Sequence, residues 1–138
     1  MIMSLFNIFD IAGSALSAQT VRLNVTASNL ANAESVSSSV GETYRAREPV
    51  FQTVLDKVGD PASAGVRVAG IVESAAPLQR RYEPNHPQAD ADGNIFLPNV
   101  NVVEEMANII SASRSYQNSV EVFNTSKDLL LRTLTLGQ

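Results

Sequence analysis

A single histidine and a few carboxylates are the side chains of this sequence that could do chemistry. His86 lies between Pro84 and Pro87, and a serine, histidine and aspartate triad could be built only through it, but no nucleophile-elbow motif accompanies it. Glu104 and Glu105 are adjacent on a predicted helix, so their carboxylates point in different directions and cannot act on one bond. These residues therefore predict a protein that is not an enzyme.

One acidic loop partly matches a calcium-binding loop. Asp90, Asp92 and Gly93 occupy its third, fifth and sixth positions. Gln88 stands at the first position and Asn99 at the twelfth, where calcium needs a bidentate glutamate. We interpret the segment as a turn, and we predict no cofactor and no metal ion.

Composition excludes several kinds of partner. The chain has 138 residues, 44% of them hydrophobic, and ten basic against 14 acidic residues give a net charge of −4. Neither sign of charge forms a run, so we expect no nucleic acid and no anionic membrane surface as partner. No segment is apolar for long enough to span a membrane, which predicts no direct membrane insertion. The absence of cysteine excludes disulfides and thiolate metal sites.

The apolar first twenty residues raise the question of a signal peptide. No Lys or Arg precedes Arg22, Asp10 interrupts the apolar run, and the apolar residues recur at helical spacing. We therefore expect a helix there and no cleaved signal peptide.

An apolar column runs through this N-terminal segment at seven-residue spacing: Phe9, Leu16, Leu23 and Leu30. Between them, at the same spacing, lie Ala12, Gln19 and Thr26. The pattern predicts a helix with one packing seam that ends near Asn32.

Three asparagines, Asn24, Asn29 and Asn32, interrupt this helix with side chains that usually compete with helical backbone bonding. We interpret them as polar residues beside the seam that fix its register. Solvent exposure is the alternative for Asn29, and a left-handed helix cap is the alternative for Asn32.

The middle segment, residues 34–100, contains every proline of the chain, which excludes long helices there. Residues 65–74, GVRVAGIVES, predict a strand, whereas RAREPVFQTVL is either a second strand or a short helix. The Asp92-Gly93 pair predicts a tight turn that leads into a short strand. The segment is therefore predicted to be extended and β-rich.

The last third predicts a second helix about 50 Å long. Asn101 is the expected N-cap, and Glu104 is placed to reach back to its backbone. One column of this helix consists of Val102, Ile109, Tyr116, Phe123 and Leu130. The predicted partner column consists of Met106, Ser113, Val120, Lys127 and Leu134.

These patterns predict a mainly α fold with a small β-rich insert, in which the long terminal helices pair as an antiparallel coiled coil. Residues 1–33 together with 101–138 would form the helical core domain, and residues 34–100 the middle segment. Val103, Ile110 and Leu131 lie beside the C-terminal seam. With these residues, the apolar surface of the C-terminal helix exceeds what one partner helix can cover. Such a surplus indicates that the protein associates with a further partner.

Several stretches resemble the bacterial flagellar axial proteins. SALSAQTVRLNVTASNLANAES is similar to their N-terminal motif, and PNVNVVEEMANIISASRSYQNSVEVFNTSKDLLLRTLTLG to their C-terminal motif. Within that family, LFNIFDIAGSALSAQ, YRAREPVFQ and EPNHPQADADGNIFLPNVNVVEEM resemble the proximal rod proteins in particular.

The resemblance implies a structural subunit of the flagellar basal-body proximal rod. Such subunits are exported from the cytoplasm through the flagellar type III export apparatus without a cleaved signal peptide. In the periplasm they polymerise into a hollow helical drive shaft that transmits torque and conducts exported subunits. The implied partners are further copies, adjacent proximal rod subunits, the distal rod, the rod-to-ring adaptor and the membrane ring.

By this analogy, assembly and helix packing would involve Phe9, Leu16, Leu23, Asn24, Asn29, Leu30, Asn32, Val102, Met106, Ile109, Tyr116, Val120, Phe123, Leu130 and Leu134. The alternative is a soluble helical adaptor or chaperone-like binding module that uses its exposed apolar seams for one partner.

Overall fold

Two long helices bracket a segment of short strands. The computed structural model describes residues 2–55 and 64–136, with side chains from residue 6 onward. The described elements are α1 (Ile2–Asn32), β1 (Arg47–Leu55), β2 (Ala64–Glu73), β3 (Gln79–Tyr82), β4 (Asn94–Leu97) and α2 (Val102–Leu136). The predicted fold class, mainly α with a small β insert, is confirmed.

The two helices pack against each other in opposite directions. Close to the start of α1, the ring of Phe9 meets that of Phe123 edge-to-face, with centroids 4.9 Å apart. Farther along α1, Arg22 Nη2 donates a hydrogen bond to Asn108 Oδ1 at 3.1 Å. Rising residue numbers in α1 therefore meet falling numbers in α2. This packing stabilises both helices, because most helical stability in proteins comes from covering an amphipathic face.

Two columns of α2 lie on its α1-facing side. The first follows the predicted apolar column, in which Ile109, Phe123 and Leu130 are half-buried and Tyr116 is 38% exposed. The second consists of Glu105, Ala112, Ser119, Ser126 and Thr133, each buried or half-buried.

The predicted partner column is only partly correct. Ser113 and Val120 are half-buried, but Met106, Lys127 and Leu134 are exposed, whereas in the column one position earlier Ala112 is 0% exposed and Ser126 is buried. Steps of three and four residues alternate along a seam, and the step of three from Ile109 reaches Ala112. Small side chains in this column let the two helix backbones approach closely.

Strands β1 and β2 form an antiparallel hairpin that packs on α1. Their register pairs Arg47 with Glu73, and a bulge between Val50 and Phe51 interrupts the ladder. The strand predicted over residues 65–74 is confirmed, and a strand is the correct alternative for RAREPVFQTVL.

Strands β3 and β4 form a second antiparallel pair. In the turn before β4, Asp90 Oδ1 accepts hydrogen bonds from the backbone N–H groups of Asp92 and Asn94 at 2.9 and 2.8 Å. Gly93 has a φ of +78°, a conformation that glycine adopts without steric cost. The predicted turn and the short strand after it are confirmed, whereas β3 is an element that the sequence pattern did not predict.

The most buried aliphatic side chains of the β segment belong to β4 and the residues that follow it. Ile95 is 1% exposed, and Leu97 and Val100 are also buried. Ser37, in the chain after α1, exchanges two backbone hydrogen bonds of 3.0 Å with Phe96. The segment after α1 is thereby fixed to β4, immediately before α2 begins.

The predicted N-cap of α2 at Asn101 is confirmed, whereas no hydrogen bond from the Asn101 N–H to the Glu104 side chain is present. Asn101 Oδ1 accepts hydrogen bonds from the backbone N–H groups of Val103 and Glu104 at 3.1 and 3.3 Å. These N–H groups have no partner inside the helix, so the cap fixes where α2 begins.

Candidate functional site

The outer surface of α2 carries two groups of exposed apolar side chains. The first group is Val103, Met106 and Ile110, which share one side of the helix near its start. The second group, near its end, consists of Leu129, Leu131, Leu134 and Leu136. Leu136 is 88% exposed. We call these groups the first and second α2 patches.

A shallow groove runs along the line where α1 and α2 meet. Small side chains form its floor, and Ile8 and Val122 are exposed at its rims. Its lining comprises Ile8, Ile11, Ala12, Ala15, Asn118, Ser119 and Val122. The groove continues along α2 as far as Ser126. Its surface is mostly apolar and open, so it can receive a long side chain from a neighbouring molecule.

The structure separates the predicted site residues into two sets. Half-buried residues on the helix pair are Phe9, Leu16, Leu23, Leu30, Ile109, Val120, Phe123 and Leu130. Exposed residues are Asn24, Val102, Met106, Tyr116 and Leu134. The remaining two, Asn29 and Asn32, are described separately below. In the first set, Phe9 and Phe123 contact each other across the helix pair, whereas the side chains of the second set are exposed to solvent in the isolated chain.

Asn29 is buried, so the alternative of solvent exposure is wrong. It is 1% exposed, and its Nδ2 donates to the backbone carbonyl of Arg47 at 2.8 Å. Its Oδ1 accepts from the backbone N–H of Arg47 at 2.9 Å and from the Tyr44 hydroxyl at 2.8 Å. The Glu105 carboxylate of α2 lies near enough for the Asn29 amide to lower its pKa.

The other two asparagines of α1 differ from Asn29. Asn32 Nδ2 donates to the Ser28 carbonyl at 2.8 Å inside the last turn of the helix. Gly93 has the only positive φ among the described residues, so a left-handed cap at Asn32 is wrong. Asn24 is exposed. Of the three, only Asn29 makes hydrogen bonds to a strand.

Glu105 lies half-buried in the α1-facing column, and burial is the main influence on its carboxyl. Burial raises the pKa of Glu105 above its ordinary value of 4.5. The Asn29 amide lowers this pKa, and the carboxylates of Glu104 and Glu48 raise it. The Arg22 guanidinium lowers it as well. The net result is a raised pKa, so the fold favours the protonated form.

This raised pKa predicts how stability depends on pH. A carboxyl with a higher pKa in the folded state stabilises the fold most at low pH, and that contribution is lost as the pH rises through the folded pKa. We expect Glu105→Gln, which stays neutral, to raise the free energy of unfolding at pH 7. The gain should be below about 1 kcal/mol because the group remains in contact with water.

Thermal unfolding from pH 4 to pH 8 measures this effect. The difference between Glu105→Gln and the parent chain should grow as the pH rises above 4.5. Glu121→Gln, which changes an exposed glutamate of the same helix, is the matched control and should show no such trend. A constant difference at every pH would contradict the prediction.

The side chains considered for catalysis and for calcium binding have structural roles. His86 Nδ1 accepts a hydrogen bond from the backbone N–H of Gln88 at 3.1 Å, and the Asp90 carboxylate is used in its turn. Across residues 2–55 and 64–136, the acidic and histidine side chains form no group of three that could hold a metal ion. In the same residues, neither helix is long and apolar enough to cross a membrane.

The segments that form both helices match models of known protein families. Residues 9–36 match the family model described as "Flagella basal body rod protein". Residues 92–136 match "Flagellar basal body rod FlgEFG protein C-terminal". The two matches cover most of α1 and all of α2, which are the elements that form the helix pair.

Full-length relatives decide the family. The chain is 58% identical over 136 residues to the flagellar basal-body rod protein FlgC of Salmonella typhimurium, with 99% of this chain and 100% of the relative covered. The chain belongs to the FlgC family of flagellar basal-body rod proteins. Identity and coverage are the same for FlgC of Escherichia coli O6:H1. FlgC of Buchnera aphidicola subsp. Acyrthosiphon pisum is 44% identical over 138 residues, with the same coverage.

Membership of the FlgC family establishes the general function of the chain. The chain is a structural subunit of the flagellar basal-body rod and is not an enzyme. The resemblance predicted from the two terminal motifs is therefore confirmed. The relevant sites are surfaces and packing contacts on the helix pair.

Sequence reasoning missed the column of small residues that faces α1. Ala112, Ser119 and Ser126 recur every seven residues, but a search for apolar columns passes over them. A search for small residues at the same spacing would have found them. It also missed Asn99, whose Oδ1 accepts from the Ala46 N–H at 2.8 Å and whose Nδ2 donates to the Ala76 carbonyl at 2.9 Å.

Proposed function

We propose that this chain is a proximal rod subunit that polymerises into a hollow helical drive shaft. The observation that carries the proposal is the second α2 patch, whose leucines are half-exposed or more in the isolated chain. Leucine side chains of this kind gain free energy when a neighbour covers them. The name FlgC of the full-length relatives supports the rod as the assembly in which this happens.

The helix pair would form the inner layer of the shaft as an antiparallel coiled coil. The seven-residue spacing of the α1-facing columns and the opposite directions of α1 and α2 support this pairing. Residues 1–33 and 101–138 then act as one core domain, with residues 34–100 outside it. The fifteen residues predicted for assembly and packing belong to this core.

The partners and the location follow from the same proposal. The neighbours are further copies, adjacent proximal rod subunits, the distal rod, the rod-to-ring adaptor and the membrane ring. The rod spans the periplasm, and the subunit reaches it through the type III export apparatus without a cleaved signal peptide. The shaft transmits torque and conducts the subunits exported after it.

The adaptor or chaperone-like module is not favoured, because the full-length relatives are rod proteins. Sedimentation of the purified chain at rising concentration separates the two functions. A head-to-tail interface that does not close makes open-ended polymers, whereas an adaptor saturates at a fixed stoichiometry.

The second α2 patch provides the direct test of rod assembly. In a motile bacterium whose own copy is replaced by this chain, the triple change Leu131→Gln, Leu134→Gln and Leu136→Gln should abolish swimming. Full burial of one leucine contributes about 1.5–3 kcal/mol, so three polar replacements remove the free energy of a moderate interface. Swimming speed and isolated basal bodies are the measurements.

The matched control changes two exposed polar residues in the same turns, Arg132→Gln and Thr135→Gln, and should leave swimming normal. Both variants should appear outside the cytoplasm in normal amounts, because the export signal of the family is expected near the N-terminus. Normal swimming of the triple variant would contradict the proposed role of the patch.

A further inference from the structure

Asn29 pairs with β1 as a neighbouring strand would. Its side-chain amide donates to the carbonyl of Arg47 and accepts from the N–H of the same residue, at 2.8 and 2.9 Å. Two antiparallel strands exchange these two bonds at a hydrogen-bonded residue pair. On the other edge of β1, the Ser74 N–H donates to the Ala46 carbonyl at 2.7 Å. Asn29 therefore occupies the outer edge of β1 at its first residue.

The amide of Asn29 makes three hydrogen bonds. A side-chain amide has two donor hydrogens and an oxygen that accepts two hydrogen bonds. One donor hydrogen serves Arg47, and the oxygen serves Arg47 and Tyr44. One buried side chain thus joins α1 to the start of the hairpin and to the chain just before it.

A second anchor holds the hairpin nearer the start of α1. Ser14 Oγ accepts a hydrogen bond from the Val66 N–H at 3.1 Å and donates to the Ile11 carbonyl at 2.8 Å. A Cβ atom added at Gly65 would lie 3.2 Å from this hydroxyl, so the strand approaches the helix closely there. Ser14 and Asn29 are about 22 Å apart along α1 from the helical rise per residue.

Two anchors set the direction of the hairpin, whereas one anchor leaves it free to pivot. An isolated two-stranded hairpin is only marginally stable in water, so β1 and β2 depend on what α1 supplies. We propose that Asn29 is a positioning residue that holds the β1–β2 hairpin in line with the helix pair, so that the hairpin turns with the helices when the rod rotates. The statement that the hairpin turns with the rod rests on the proposed function.

The three hydrogen bonds explain why asparagine is required at this position. Aspartate has no donor for the Arg47 carbonyl and would bring a second carboxylate close to that of Glu105. Leucine has a similar volume but makes none of the three bonds. Each buried donor or acceptor left without a partner is costly, so both replacements should release the start of β1.

A disulfide reports the position of the hairpin directly. With Ser14→Cys and Gly65→Cys, the two Cβ atoms would lie 3.7 Å apart, within the usual range of a disulfide. The sequence has no other cysteine. Because Ser14→Cys removes the hydroxyl anchor, the hairpin then depends on Asn29. In the purified chain, adding Asn29→Leu or Asn29→Asp should slow formation of this disulfide roughly tenfold.

The matched controls are Asn24→Leu and Asn24→Asp, which change an exposed asparagine of the same helix and should form the disulfide at the parent rate. Hydrogen exchange separates positioning from general loss of stability. Asn29→Leu should speed exchange in residues 47–55 and 64–73 and leave residues 109–126 unchanged. A parental rate of disulfide formation, or equally faster exchange in both regions, would overturn the proposal.

Swimming tests the coupling to rotation. Cells in which this chain replaces the bacterium's own copy should swim with Ala27→Leu, which changes an exposed alanine of the same helix, and should not swim with Asn29→Leu. Normal swimming with a released hairpin would overturn the coupling and leave rod membership intact. Failure of the unchanged chain to support swimming would count against the proposed function instead.

Discussion

Replacing Ala112 with leucine should push α1 and α2 apart and lower the free energy of unfolding by about 1–3 kcal/mol. Ala112 is 0% exposed and lies in the column of small residues that faces α1. Three added carbons have no free volume there, so the helices must separate or the side chain must leave its preferred rotamer. Denaturant unfolding of the purified chain measures the change.

Ala107→Leu is the matched control, because Ala107 is an exposed alanine of the same helix. It adds the same atoms on a surface that α1 does not cover, so stability should change by less than about 0.5 kcal/mol. Ala112→Leu should also prevent swimming, since the outer surface of α2 would move relative to α1. Equal stability of the two variants would show that Ala112 has room for a larger side chain.

Ile95→Ala should be the most destabilising single change in the β segment, at about 2–5 kcal/mol. Ile95 is 1% exposed and belongs to β4, which connects directly to the start of α2. Truncating it removes three carbons and leaves a cavity that its neighbours fill only in part. Thermal and denaturant unfolding both measure the loss.

Ile71→Ala makes the same chemical change at a residue of β2 that is 51% exposed. It should cost much less, because little of the Ile71 side chain is removed from water in the folded chain. A similar loss of stability in the two variants would mean that Ile95 is no more important to the core than Ile71.

The sequence predicted the parts of this fold that apolar residues specify. The apolar columns through Leu16 and Phe123 led correctly to two long helices, and the Val- and Ile-rich run over residues 65–74 led to β2. The small column through Ala112 was not predicted, because alanine and serine give no apolar signal. β3 was missed for a related reason, since Gln79, Arg80, Arg81 and Tyr82 are all exposed.

The candidate site was predicted in outline only. Family motifs identified the terminal helices, and exposed leucines such as Leu131 could be found from their position beside the seam. The role of Asn29 could not be found in this way, because its neighbours Arg47 and Glu105 are distant in sequence. Local pattern cannot show which strand a helical asparagine will meet.

The outer edge of β1 also affects how copies of this protein meet at high concentration. A free strand edge can recruit the same strand of another copy and lead to disordered aggregates. Here Asn29 uses the N–H and carbonyl of Arg47, and Pro49, the next residue to face that edge, has no N–H to offer. The bulge after Val50 then twists the strand. The start of the outer β1 edge is thus closed to strand addition by another copy.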